Sequence, residues 1–593
     1  MPDFNQTGFR GGIISPRKEF AEDDVLFHSS VKDAVNWAVT QQGSMLTRCG
    51  SQEVGLCQDG TVRLFRLPNL DPSRNDAIVE VGDVDIAVWV NDSRIVIIST
   101  PNEWIGSLDR IQTAYDAIGD DGGAANSGRL IMVHPSLQPK RLYLDNLNVW
   151  TFVDMHAADL PAEWSASNYP WTVGLFQNRV WYVGSPVNRT NFWASKAGAP
   201  ETIGPAGTNP IDPLNFVGIM EGTPVWTIAS SDVLTVGTSV DEYQLTAVGG
   251  GAINALNALL RRSSSHSSSR IQSRSAEEQV MFASRSQAKV YSINYVRAQD
   301  NWKAEEISLP AEHLFTPVGT SLNRSIVNMI HLPDSDKGLW VLLGNGEVNY
   351  CCFDKTTDTK AWTKFEFGAP VMDIAAGFSP ESDNMYMAVK RNKVISGVQK
   401  EYTVLEKVAA PRSDWRRADG WIQASVDVDG TVNDIDRYIG KTAVVFSEFG
   451  QEGEVKVTEE DQVYKIPFYD NSIDYYIGYV IDNKVVTLPP AIGNIKQSMS
   501  GSTMRTISAQ LALYRSVLPI VDGEDPDDRG TEEIMDERTL DFSRGTPDDG
   551  ANNLKPVYRP RGWEKEGKLT IEVREPFLCE VVSILSEVQA NRI

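Results

Sequence analysis

Leu339-Trp340-Val341-Leu342-Leu343, then Gly344-Asn345-Gly346, then Glu347-Val348-Asn349-Tyr350 is an apolar run, a turn and a second apolar run. Tight hairpin turns demand positive φ, which Asn and Gly tolerate best, so the stretch reads as two antiparallel strands. The same pattern recurs at 88–98, where Asn91-Asp92-Ser93 separates Val88-Trp89-Val90 from Ile95 to Ile98, and at 142–153 around Asp145-Asn146. Further hairpins are expected at 174–183, 225–237, 280–295 and 385–398. Most follow one another at about 45 to 60 residues, the spacing of propeller blades, each a small antiparallel sheet. No sharp repeat such as a WD dipeptide accompanies them, so a string of β-sandwich modules fits the same pattern.

Outward from this centre, a mainly β chain is expected in three parts. An N-terminal segment at 1–85 carries a short helix, a propeller-like domain of hairpin blades occupies 86–414, and one or two β-barrel or sandwich domains fill 415–593. Two helices are expected. One lies within 20–40, where Val31, Ala34, Val35 and Ala38 share a helical face; the other runs through Leu108, Ile111, Tyr115 and Ile118 and stops at Gly119. In the C-terminal part, Tyr475 to Leu488 alternates around Asp482-Asn483-Lys484, Thr506 to Val517 alternates again, and Lys568 to Val588 reads as a strand pair broken at Pro576.

Composition narrows the function. The chain has 593 residues, 41% of them hydrophobic, enough to bury several cores. No run of 18 apolar residues occurs and the N-terminus lacks a signal-peptide pattern, so no membrane anchor is expected. With 55 Lys+Arg against 79 Asp+Glu the net charge is -24, which argues against a protein that grips phosphate backbones over much of its surface. Twelve of the acids fall in 521–550 against three arginines, with Asp522, Glu524, Asp525, Asp527 and Asp528 at its start. The window reads as a long acidic loop. Residues 261–275, Ser-rich with Arg261, Arg262, Arg270 and Arg274, read as a mobile basic loop, either a plain linker or a contact for DNA phosphates or an acidic partner.

Catalytic signatures are missing. Gly440-Lys441-Thr442 ends like a phosphate-binding loop, but Ile435 stands where the first glycine is required. There is no GxSxG, no HExxH and no CxxC, and the five cysteines read as small buried side chains. No enzyme, metal or cofactor is expected. Paired carboxylates keep a propeller that binds or cleaves surface glycans open as the alternative, although no sialidase-type Asp-box is present.

Phe9-Arg10-Gly11-Gly12-Ile13-Ile14-Ser15-Pro16, then Asn36-Trp37, then Gln42-Gly43-Ser44-Met45-Leu46-Thr47-Arg48-Cys49-Gly50, resembles the opening of the nozzle proteins of short-tailed bacteriophages, the tail tubular protein B-like family. That family carries a Gly-Gly-x-x-Ser-Pro segment and an Arg-Pro-Gly turn; here Cys49 takes the proline's place. Further matches follow in the same order: Asn178 to Pro186, Phe192 to Gly198, Thr235 to Thr238 with Glu242-Tyr243, Ala361-Trp362, Met385 to Arg391 and Tyr479 to Pro489. The resemblance implies a non-enzymatic virion protein of the tail, made in the host cytoplasm. It would assemble as a sixfold ring below an adaptor ring, bind tail fibres or spikes, and form the conduit and gate through which double-stranded DNA leaves. The segment Gly11, Gly12, Ser15, Pro16, Gly43, Arg48 and Gly50 is then a candidate assembly motif, with turn geometry inside one subunit as the alternative.

Overall fold

A computed structural model describes residues 3–591 except 101–105, 117–127, 297–300, 317–322, 335–336, 396–397, 411–413, 459–462, 491–502, 526–552, 555–556, 560–566 and positions 20, 22, 23, 59, 61, 70, 72, 231 and 434. The described residues are mainly β-sheet, arranged as four-stranded antiparallel meanders reminiscent of propeller blades. Five are separate sheets, at 62–99, 112–154, 172–217, 224–264 and 274–306. A sixth, at 326–365, ends a larger sheet. In a seventh, Val371–Phe378, Asp383–Ile395 and Val398–Ala409 take their fourth strand, Ser51–Leu56, from ahead of the first unit. The opening strands of successive units lie side by side from the second to the seventh, and that of the seventh, Val371–Phe378, lies against Val62–Leu67 of the first.

The apolar runs explain this stacking. A strand covered on both faces reads as a near-continuous apolar run, and Arg179–Val183, Val233–Thr238 and Gly338–Leu343 are buried throughout, the polar side chains among them included. Phe65, Val79 and Val88 of the first unit pack with Leu130, Met132 and Leu142 of the second. Ile131 and Val133 of the second meet Val180, Tyr182 and Trp193 of the third, and Trp181 and Phe192 of the third meet Leu234 and Leu245 of the fourth. Burying each such large side chain contributes about 1.5–3 kcal/mol, so unit-to-unit packing is the main adhesive.

The chain ends interleave. Asp3–Gln6, Trp37–Val39 and Met45–Thr47 share a sheet with Thr503–Tyr514 and Glu580–Asn591, while Gly12–Ile13, Ser30–Val35, Asn483–Thr487 and Thr570–Val573 extend the sixth unit's sheet. Ala418–Gln423, Thr442–Ser447, Gly450–Lys456 and Tyr475–Val480 extend the seventh unit's sheet over a core of its own that includes Tyr438, Val445 and Ile477. Among the described residues none of these sheets closes into a barrel. No helix there is long and apolar enough to cross a membrane.

Several expectations are corrected. Residues 31–38 are not helical: Ser30–Val35 is a strand paired with Asn483–Thr487, Asn36 breaks it at φ 62, and Trp37–Val39 is another strand. The helical spacing is coincidental, because β-branched Val31, Val35 and Val39 favour extended backbone and the strand is held by its sheet neighbours. The second helix shrinks to the 3-10 turn Leu108–Arg110 and gives way to the strand Gln112–Asp116, where Gln112, Ala114 and Asp116 are buried in alternation; Ile118 and Gly119 lie outside the described residues. Residues 385–395 are one long strand rather than a whole hairpin. Tyr475–Val480 and Asn483–Thr487 belong to different sheets, as do Thr570–Val573 and Glu580–Asn591, so neither forms the local pair expected. Val62–Leu67 and Ala77–Gly82 open the first unit instead of belonging to an N-terminal segment that ends at 85.

Candidate functional site

The N-terminal motif is folded into the chain's own interior. A Cβ on Gly11 would stand 2.1 Å from Ser30 Oγ; one on Gly12, which sits at φ +59, would stand 2.6 Å from the Trp362 backbone nitrogen. Only glycine lets this strand pass so close to the sixth unit. Ser15 N donates to Pro310 O at 2.8 Å, and Ser15 Oγ accepts from Arg17 N at the start of the 3-10 turn Pro16–Lys18. Gly43, at φ +95, closes the Thr40–Ser44 turn, and its carbonyl accepts from Phe9 N at 2.7 Å. Gly50 runs against Ala418, whose oxygen would lie 2.0 Å from a Cβ.

Arg48 is the centre of this joint. Its side chain is 1% exposed, and its Nη1 and Nη2 donate to the two carboxylate oxygens of Asp419 at 2.8 and 2.6 Å. Nε donates to Asn36 Oδ1, Nη1 also to Cys49 O and Nη2 also to Glu366 O, with the guanidinium carbon 4.2 Å from the Phe367 ring centroid. Beside it Arg391 donates to both oxygens of Glu406 at 2.7 and 2.8 Å and lies 4.6 Å from the Tyr479 ring. Ser51 links the pairs, its Oγ donating to Glu406 Oε2 at 2.6 Å and accepting from Gly420 N. Burial acts to lower the Arg391 pKa, but the Glu406 charge and hydrogen bonds outweigh it and hold the guanidinium above its ordinary value. Burial pushes the Tyr479 phenol up to about 12.

Two arginines and two carboxylates thus form a neutral, fully bonded buried cluster. It ties the N-terminal segment to the sixth unit, the seventh unit and the 418–480 extension. Of its members, sequence reading singled out Arg48, and Arg391 only as part of a matched segment; Asp419 and Glu406 were missed. Glu406 stands beside Lys407 and Asp419 two residues after Arg417, so neither stands out locally as a buried charge.

Residues 261–275 are not a mobile loop. Arg261 and Arg262 lie on the strand Ala258–Ser264, paired with Glu242–Ala247, and Arg274 begins the strand Arg274–Ala276. The serines are ordered by a buried carboxylate: Glu242 accepts from Ser264 Oγ at 2.6 Å, Ser268 Oγ at 2.8 Å and His266 N at 3.2 Å. Arg262 lies 3.6 Å from Asp241, and the Arg270 carbonyl accepts from Gln112 Nε2. The four arginines therefore do not gather into one basic patch on a flexible segment. In the acidic window, Asp522 Oδ1 accepts from Thr570 N at 2.7 Å and Val521 bridges to Glu524. Asp525 closes the described part; Asp527, Asp528 and the remainder of the window lie outside the described residues.

Among the described residues no catalytic constellation is assembled. Among the described residues no three His, Cys, Asp or Glu side chains stand close enough to hold a metal. All five cysteines are buried and free, and burial raises the pKa of Cys49, Cys57, Cys351 and Cys579, which opposes thiolate formation. Gly440-Lys441-Thr442 leads into the strand Thr442–Ser447, not into the helix whose N-terminus a phosphate-binding loop requires.

No family model matches the chain, and no curated protein matches it. Among solved structures it is similar to Raptor from Chaetomium thermophilum, at 12% identity and TM-score 0.39 over 61% of this chain; the match spans only 29% of Raptor. It is also similar to BBS1N in complex with ARL6DN, at 13% identity and TM-score 0.35 over 61% of this chain and 99% of that one. A chain of the mitotic checkpoint complex matches at 10% identity and TM-score 0.34 over 62% of this chain and 92% of that one. None of these likenesses is close enough to carry a statement about function.

Proposed function

We propose that the chain is a structural ring subunit of a short-tailed phage tail, the nozzle through which DNA leaves the virion. One observation carries the reading: segments that resemble the nozzle family, though scattered over some 470 residues of sequence, meet at a single buried joint. Gly12 from the opening motif lies on Trp362; Asn36 and Arg48 bond Asp482, Glu366 and Asp419; Arg391 stacks on Tyr479. Residues that match a family in order and also pack together are what a shared architecture would leave behind. The segments at 178–198 and 235–243 lie apart from the joint, in the third and fourth units.

The finer fold belongs to the same proposal. The seven meanders are blades of one propeller, supported by the side-by-side opening strands and by Ser51–Leu56, which adds to the last blade immediately ahead of the first. The C-terminal strands form further sandwich-like domains on its flank. The net charge of -24 per subunit suits a DNA conduit, because a negative wall repels phosphates across a Debye length of about 8 Å at physiological salt. Adaptor ring and tail fibres or spikes are the partners.

Sedimentation velocity of the purified chain with the adaptor ring encoded by the same genome tests the reading. Co-sedimentation at six copies per adaptor ring is expected; no complex at micromolar concentrations would count against it.

A further inference from the structure

A cavity of about 340 Å³ lies among the opening strands of five units, with Leu64, Thr113, Ser275, Ile330 and Ala375 each contributed by a different one. Arg274 also lines it. We propose that this cavity is a binding site for a small oxyanion, inorganic phosphate or a compact phosphorylated or carboxylated molecule, with Arg274 as its cationic anchor.

The charge balance around the cavity is uneven. Arg63 Nε and Leu64 N both donate to Asp373 Oδ2 at 2.8 Å, and Asn328 Nδ2 takes Asp373 Oδ1 at 2.7 Å, so that carboxylate is fully engaged. Arg66, which also borders the cavity, is paired with Asp76 at 2.6 Å. Arg274 has neither arrangement: its Nε donates to a neutral acceptor, Met329 O, at 2.6 Å, and among the described residues no carboxylate stands within ion-pair distance of it. Its two Nη groups are the unspent donors of the site.

A guanidinium with no direct ion-pair partner in a buried place is costly. Desolvation, with the Arg63 charge adding to it and the Asp373 charge only partly offsetting it, pulls the Arg274 pKa down to about 10. An oxyanion would relieve both effects, because the planar guanidinium fork matches the spacing of carboxylate and phosphate oxygens. His331, held neutral at pH 7 by burial with a pKa of about 4, adds no second charge. A volume at the lower end of the ligand-pocket range, roughly 300–1,000 Å³, fits a small anion and excludes a polymer. The site is independent of the nozzle reading, which needs no ligand.

Isothermal titration of the full chain with sodium phosphate at pH 7.5, at ionic strength held constant with chloride, tests the proposal. Saturable binding of one phosphate per chain is expected, weakened at least tenfold in Arg274→Gln, less in Arg274→Lys, and unchanged in Arg261→Gln. No saturable heat, or equal affinity in wild type and Arg274→Gln, overturns it. Crystals of the wild type soaked in tungstate serve should the variants fail to fold. An anomalous peak within hydrogen-bond distance of the Arg274 Nη atoms supports the site; its absence there overturns it.

Discussion

Arg48 and Asp419, 371 residues apart in sequence, are joined by two hydrogen bonds of 2.8 and 2.6 Å, with both side chains almost wholly buried. Removing one partner of such a pair strands a charge without water, at a cost of about 3–5 kcal/mol. Arg48→Met and Asp419→Leu should each lower the urea midpoint of the full chain by a matching amount. The double variant Arg48→Met, Asp419→Leu should lose clearly less than the sum, and additive losses would show that the two residues do not act as a unit.

Glycine at 50 is required for space, whereas at 250 it is required only for conformation. Gly50→Ala would drive a methyl to 2.0 Å from Ala418 O and should cost about 3 kcal/mol or fail to fold. Gly250, at φ +77 with nothing within 4 Å, should lose about 1 kcal/mol on the same change. Thermal melts of the two variants compare them directly; equal losses would contradict the close approach at Gly50.

Trypsin distinguishes an ordered Ser-rich segment from a mobile one. Because Arg261, Arg262 and Arg274 lie on strands and Glu242 holds the serines between, native protein should resist cleavage across 261–275. Glu242→Ala leaves Ser264 and Ser268 unpaired and should open the segment, giving fragments that mass spectrometry maps to these arginines. First cleavage at Arg261 or Arg262 in the wild type would contradict the strand assignment.

Two histidines make stability sensitive to mild acid. Burial, aided by Arg110 beside His134, lowers the pKa of His134 and of His331 from 6.5 to about 4. The unfolded chain takes up these protons first, so their contribution is complete above pH 6.5 and is lost as the pH falls toward 4. The melting temperature should drop across that window, and His134→Gln with His331→Gln should flatten the drop. An unchanged slope in the double variant would place the acid sensitivity elsewhere.

Most strands were legible because their signal is local. Asn91 and Asp92 do adopt positive φ in the turn between Asp85–Val90 and Ser93–Ser99, and Gly346 does so in the turn before Val348. What misled was anything settled by distant partners. Val31 to Ala38 has helical spacing, but its conformation is set by Val485 and Val486, some 450 residues away. Composition made 261–275 look unstructured, and only the buried carboxylate of Glu242 explains its order. Strand pairing in the C-terminal part was misread for a similar reason, since Asn483–Thr487 pairs with Ser30–Val35 and Thr570–Val573 rather than with its neighbour in sequence. At the joint, Gly12 and Arg48 stood out by motif, but their role depends on Trp362 and Asp419, which local sequence could not supply.

Negative-stain electron microscopy of the purified chain, alone and mixed with the adaptor ring of the same genome, tests the central claim most directly. Class averages showing a sixfold annulus with a central channel in either sample are the predicted result. Single particles in both samples, with no density added to the adaptor ring, would contradict it.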